Sequence, residues 1–187
     1  MRVNIKSGTA IAPCPVLIVG SYDENGRANA MTAAWGGVFN DNQVIITLAK
    51  DHLTTANILA NKAFTLAYGD SKHVTECDYL GLISGSKVCK LERIGFTTTK
   101  GAYVNAPIIN ELAVAIECEL NNVITPDSET VVIIGDVKNI SVSEDVLDNN
   151  KLSLDKLRLI AFDTFGSSYR LVGEEVAKAF NVGKKYL

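Results

Sequence analysis

The 187-residue sequence predicts a mainly β fold, a barrel of antiparallel strands with a few short helices. Asn25-Gly26 lies between two alternating apolar runs, and Asn-Gly in that setting is the strongest short hairpin signal, because both central residues of a type I′ turn need positive φ. Further β-runs recur along the chain with turn signals between them. Helical patterns are few and short, which argues for a barrel over a doubly wound sheet.

Taken in order, Val16 to Ser21 and Arg27 to Ala34 pair as the first hairpin. A strand meant only for burial is rich in Val and Ile; this second one carries Asn29, Ala30, Met31, Thr32 and Ala33. Small residues let a flat ligand approach the backbone, and Asn29 and Thr32 add polar contacts. Asn40-Asp41-Asn42 is a turn and Gln43 to Ala49 a strand. Asp51 suits the N-cap of a short helix whose apolar positions are Leu53, Ala56, Ile58 and Leu59. Ala63 to Tyr68 reads as a strand, and Lys72 to Leu80 as a helix closed near Gly81. Residues 81–106 hold several Gly and Ser and three consecutive Thr, and read as loop. Glu111 to Val123 and Thr130 to Val142 are long strands joined by a turn at Thr125-Pro126-Asp127-Ser128. The stretch 144–158 is polar with local helix potential. Arg158 to Phe162 and Ser168 to Val172 read as late strands, and Glu174 to Phe180 as a terminal helix.

Length and composition fit one globular domain over residues 1–187, with 47% apolar and 21% charged residues. The net charge is −3 and, apart from Lys184-Lys185, the basic residues are scattered, so nucleic acid is not an expected partner. No apolar stretch is long enough to span a bilayer. Arg2 and Lys6 precede no continuous apolar run, so no signal peptide is expected. Cys14, Cys77, Cys89 and Cys118 form no Cys-x-x-Cys pair and only two His accompany them, so no metal site is expected. Reduced thiols in a cytoplasmic protein are the expected state. Gly-x-Gly-x-x-Gly and Gly-x-x-x-x-Gly-Lys-[Ser/Thr] are both missing from the sequence, so no nucleotide site of either kind is visible.

Two further segments bear on binding. Thr47-Leu48-Ala49-Lys50-Asp51-His52-Leu53-Thr54-Thr55 runs from a strand end into a helix start. A helix N-terminus offers unpaired N–H groups and the positive dipole end, which suit a phosphate. Thr54 and Thr55 add hydroxyl donors, and Lys50 or His52 adds charge or a polar contact. Ser84-Gly85-Ser86-Lys87-Val88-Cys89-Lys90 is a Gly/Ser loop with lysines, able to cradle a phosphate or cover a ring edge. Taken alone, these two segments and Asn29–Trp35 are equally an ordinary strand, a capped helix and a solvated connection. Ser84-x-x-Lys87 also matches a serine-nucleophile pattern, but the companion motifs are missing. Cys14, between two prolines, is expected to be a buried inert thiol, and His73 to sit on a helix surface.

Pro15-Val16, the hairpin, Asn29-Ala30-Met31-Thr32 and Trp35 together resemble the opening of the flavin reductase-like proteins, an FMN-binding split-barrel family. The resemblance covers roughly residues 10–175. It implies a six-stranded Greek-key split barrel holding FMN at a homodimer interface. It also implies contacts to the flavin from Asn29, Ala30, Met31 and Thr32, with Trp35 lining the pocket. Thr47, Leu48, Ala49, Lys50, His52, Thr54 and Thr55 match the phosphate-contacting segment, and Ser84, Gly85 and Lys90 match a Ser-Gly loop followed by Lys. The family's acidic residue before that Lys is replaced by Cys89. The ring itself carries the hydride or electron chemistry, so no catalytic acid or base is assigned. Three functions compete: an NADH- or NADPH-dependent flavin reductase, a flavoredoxin-like carrier exchanging electrons with a redox protein, and a non-enzymatic binding module on the same barrel.

Overall fold

The first hairpin forms where the sequence places it, but Asp23 sets its turn. In this computed structural model, which describes residues 1–5, 8 and 11–187, β1 (Leu17–Tyr22) pairs with β2 (Ala28–Ala33). Lys6, one of the two N-terminal cations noted above, lies outside the described residues. Asp23 Oδ1 accepts the backbone N–H groups of Asn25 and Arg27, each at 2.9 Å, and Asp23 O accepts the Gly26 N–H at 3.0 Å. Within this turn only Gly26 takes positive φ, at 75°. The connection is therefore a type I turn closed by a left-handed glycine, in place of a two-residue type I′ turn. A carboxylate that satisfies two loop amides spares Asn25 the left-handed conformation.

β3 (Gly36–Asn40), β4 (Gln43–Ala49), β5 (Ala63–Tyr68), β6 (Val114–Ile124) and β7 (Thr130–Val142) complete one antiparallel sheet. Its order is β2-β1-β5-β6-β7-β4-β3. β2 and β3 are neighbours in sequence yet form opposite edges, and Ala34-Trp35 bridges them. One bent strand thus belongs to both edges, and the sheet must curl to accommodate it. Across the seam the Thr47 N–H donates to Trp35 O at 2.7 Å. Counting β2 and β3 as one strand gives the expected six; by hydrogen bonding there are seven.

β1 is buried on both faces, and its alternation assigns two cores. Leu17 and Val19 face the barrel interior with Ile46, Phe64, Leu66, Ile116 and Val131. Ile18 faces a second cluster with Ala30, Ala67, Leu80, Leu91 and Phe96. That outer cluster is roofed by α2 (Val74–Leu82) and α3 (Lys90–Ile94). α2 runs on through Gly81, past its expected end. α3 lies inside the expected loop; five residues are too few to show a helical period, and burial of Leu91 holds the turn.

α1 (Leu53–Asn61) begins one residue later than expected, with His52 at the cap position and no side-chain cap. Polar residues as well as Ile58 anchor it: Asn57 Nδ2 donates to Ser21 Oγ at 3.1 Å, and Asn61 Nδ2 to Tyr22 O at 2.8 Å. His73 is half-buried rather than on a surface. Its Nδ1 lies 3.1 Å from both Asp70 carboxylate oxygens, and its ring meets Phe96 edge-on. In the polar stretch, α4 (Leu154–Leu157) is capped by Ser153. β8 (Ile160–Asp163) and β9 (Ser168–Leu171) join Cys14–Pro15 in a small separate sheet. The expected terminal helix does not form. Val176 and Phe180 are almost fully exposed, and a seven-residue helix with no face to bury is unstable; a 3₁₀ turn at Val182–Tyr186 is all the tail forms.

Candidate functional site

Two cavities meet beside β2. The first, about 240 Å³, lies between the start of α1, the last turn of α2 and the loop leading to α3. The second, about 640 Å³, fills the barrel seam between edge strand β2 and the Thr47–Ala49 end of β4. Met31, Thr32 and His52 line both, so the two adjoin.

The smaller cavity brings a helix start and a buried lysine together. α1 has no side-chain cap, and its first helical hydrogen bond runs from the Ala56 N–H to His52 O. The N–H groups of Leu53 and Thr54 therefore lack a partner within the helix, and both residues line the cavity. Lys90, which lines the same cavity, is only 4% exposed. Its Nζ donates to Leu80 O at 2.7 Å, near the negative end of α2. That bond uses one of three ammonium donors. Among the described residues none that lines the cavity is acidic. Burial of an ammonium without a carboxylate disfavours its charged form, and burial lowers the Lys90 pKa to about 8.

Asn29 holds the pieces together. Its Nδ2 donates to Thr54 Oγ1 at 2.9 Å within the protein, which leaves the Thr54 O–H free to donate into the cavity. Its Oδ1 occupies the space a Cβ on Gly85 would need, so glycine is required there for the loop to close on β2. From the hairpin, Arg27 reaches the same loop at Gly85 O and Cys89 Sγ, each at 3.4 Å.

The seam cavity is different in kind. Ala33, Ala34, Trp35, Thr47, Leu48 and Ala49 supply most of its wall, and Glu129 and Thr130 close one end. Trp35 is 45% exposed. Here edge strand β2 and the Thr47–Ala49 end of β4 face each other across a gap lined mainly by apolar side chains.

Of the expected binding residues, Met31, Thr32, Trp35, Thr47, Leu48, Ala49, His52, Thr54, Ser84, Gly85 and Lys90 line one or both cavities. Asn29 stands behind the wall. Ala30 lies in the outer core cluster with its side chain away from the seam; Ala33, three residues on, is on the opposite face, as strand alternation requires. Lys50 is exposed, with its N–H bonded to Glu129 O at 2.8 Å. Thr55 is fully buried and its Oγ1 donates to Ala49 O at 2.7 Å, so its hydroxyl braces the strand-to-helix turn. Leu80 to Ile83, Glu129 and Thr130 line the site without having been expected there. They belong to a helix end and a hairpin turn, and the fold alone brings them in. Cys14 is buried and donates to Ile11 O at 3.4 Å.

A curled antiparallel sheet with an open seam and two adjoining cavities beside it defines the split-barrel class of proteins. The chain belongs to the flavin reductase like domain family, which matches residues 10–160. Among solved structures it is similar to the flavoredoxin of Desulfovibrio vulgaris, with 31% identity, a TM-score of 0.92 and coverage of 98% of this chain and 100% of that one. It is also similar to flavoredoxin from Methanosarcina acetivorans, with 26% identity, a TM-score of 0.91 and all of both chains covered. The shared fold is the split barrel. An uncharacterized protein of Aeropyrum pernix is 26% identical over 147 residues; the match takes in 77% of this chain and 56% of that relative, so the chain spans little more than half of its length.

Proposed function

We propose that the joined cavities hold FMN, and that the protein passes hydride or electrons between this flavin and NADH, NADPH or a redox protein. The observation that carries the reading is Lys90, a buried ammonium that shares a cavity with an uncapped helix N-terminus and, among the described residues, with no acidic side chain. Burying such a charge is unfavourable unless something compensates it, and a phosphate is suited to do so. Lys90, the first N–H groups of α1, Thr54 and Ser84 would hold the phosphate. Met31 to Trp35 and Thr47 to Ala49 would hold the ring in the seam, and His52 would sit at their junction. Bound FMN supplies a ring that accepts hydride or single electrons. The protein's part is to bind and orient it and to shield one side from water.

A homodimer fits this reading. Edge strand β3 exposes Val38 and Phe39 next to Trp35, and a bare apolar sheet edge is normally covered. Four unpaired thiols suit a reducing cytoplasm. The likeness to the Desulfovibrio flavoredoxin favours the electron-carrier branch. Isothermal titration is expected to give one FMN per chain, bound more tightly than FAD; absence of FMN binding would overturn the proposal. Stopped-flow bleaching by NADH or NADPH then separates the branches: rapid bleaching assigns a reductase, and bleaching only by a reduced protein assigns a carrier. Light scattering of the FMN-bound protein is expected to give twice the chain mass.

A further inference from the structure

We propose that Lys90 makes the smaller cavity demand a phosphorylated flavin near neutral pH, and that this demand lapses as the solution becomes alkaline. The inference rests on the flavin reading above. Among the described residues Lys90 is the one lysine or arginine lining the cavity, and none of them gives it an acidic partner there. An ammonium held by a single carbonyl has two donors left for an anion. The same nitrogen once neutral keeps hydrogen-bonding capacity but loses the attraction that tells FMN from riboflavin. Burial brings its proton within reach of mild alkali, at about 8. A bound phosphate stabilises the charged form, so above that pH phosphate binding must take up a proton. A phosphate monoester has its second pKa near ~6, so the ligand's own charge is constant across this range.

The neighbouring charged groups come from every element around the cavity. His52 lines it from the start of α1. Arg27, paired with Asp23 at 3.1 Å, reaches the loop from the hairpin. Lys87 and Cys89 are exposed on the loop itself. In α2 the Cys77 thiol is pushed up to about 12 by burial, beyond the range in question.

The experiment uses the full flavin-free chain and follows flavin fluorescence on binding FMN and, separately, riboflavin from about pH 7 to 9, where the charge of each ligand is nearly constant. The ratio of the two affinities is expected to fall about tenfold per pH unit above the Lys90 value, with riboflavin affinity flat. In Lys90→Met the ratio is expected to be low and independent of pH, while riboflavin still binds. As a measurement that needs no variant, mixing the wild-type chain with FMN at about pH 9 in weak buffer is expected to take up protons, and mixing with riboflavin is not. A flat ratio in the wild type, or a fall that survives in Lys90→Met, would overturn the inference while leaving FMN binding intact. So would loss of the alkaline fall in Cys89→Ser or His52→Gln. No binding of either flavin at pH 7 would instead overturn the functional reading beneath it.

Discussion

The two cavities share three residues and otherwise have opposite designs. The smaller one is made of fixed polar groups: an uncapped helix start, a buried ammonium, and an asparagine that ties helix to loop. The seam is made by what the sheet leaves undone, edge strand β2 and the end of β4 approaching without pairing across a mainly apolar gap. Under the proposed function the first would recognise charge and the second shape. Substitutions in one should therefore change selectivity between flavins, and substitutions in the other should change affinity for all of them.

Lys90→Met is the strongest way to break this division. Hydrogen bonds to charged groups contribute about 1.5–3 kcal/mol, so FMN affinity at pH 7 should fall roughly ten- to a hundredfold with riboflavin affinity unchanged. Titration with both flavins measures it, and an equal loss for the two would merge the cavities into one recognition unit. The next test acts on shape. Ala33→Leu overfills the seam at a cost of about 1–3 kcal/mol and should weaken FMN and riboflavin alike. Ala30→Leu should overpack the outer core instead, lowering the melting temperature while the flavin content of the purified protein stays near the wild-type value.

Two adjacent threonines sharpen the boundary further. Thr54 lines the smaller cavity and Thr55 does not. Thr54→Ala should weaken FMN by about 1 kcal/mol, whereas Thr55→Ala should cost a similar amount of fold stability, or about 2–4 °C in melting temperature, with FMN affinity preserved. Paired calorimetry and thermal melts read both. The smallest effect concerns the empty protein. Lys90 is held below its ordinary lysine value of 10.5, at about 8, so between those values the unfolded chain binds more protons than the folded one. Stability of the flavin-free protein should rise across that window and should not rise in Lys90→Met. At pH 7 the same variant should melt a few degrees higher than the wild type, because no buried charge remains to be compensated.

Much of this architecture is legible in the residues. Asn25-Gly26 marks the hairpin, the small-residue run Asn29 to Ala33 marks its second strand, and the two long runs after residue 110 mark β6 and β7 in the middle of the sheet. The helix start after Thr47 to Ala49 is legible too, though its value comes from a missing cap rather than from Asp51. Thr54 and Thr55 look equivalent in sequence. Only the turn of α1 sends one hydroxyl to the cavity and the other to Ala49 O. Ala30 and Ala33 likewise look alike until strand parity puts one in the outer core and one at the seam. Glu174 to Phe180 has helical spacing, but spacing alone stabilises no helix without a surface to cover.

By itself, then, the sequence determined most of the strands, though not β3, together with the first hairpin and the family, because turn chemistry and side-chain period act between residues close in the chain. The tertiary structure alone decided that Lys90 is buried in the same cavity wall as a bare helix start. It also decided that Leu80 to Ile83, Glu129 and Thr130 join the site, and that β2 and β4 face each other without pairing. Those facts depend on how far the sheet curls and where the helices roof it, which are set by packing between segments tens of residues apart.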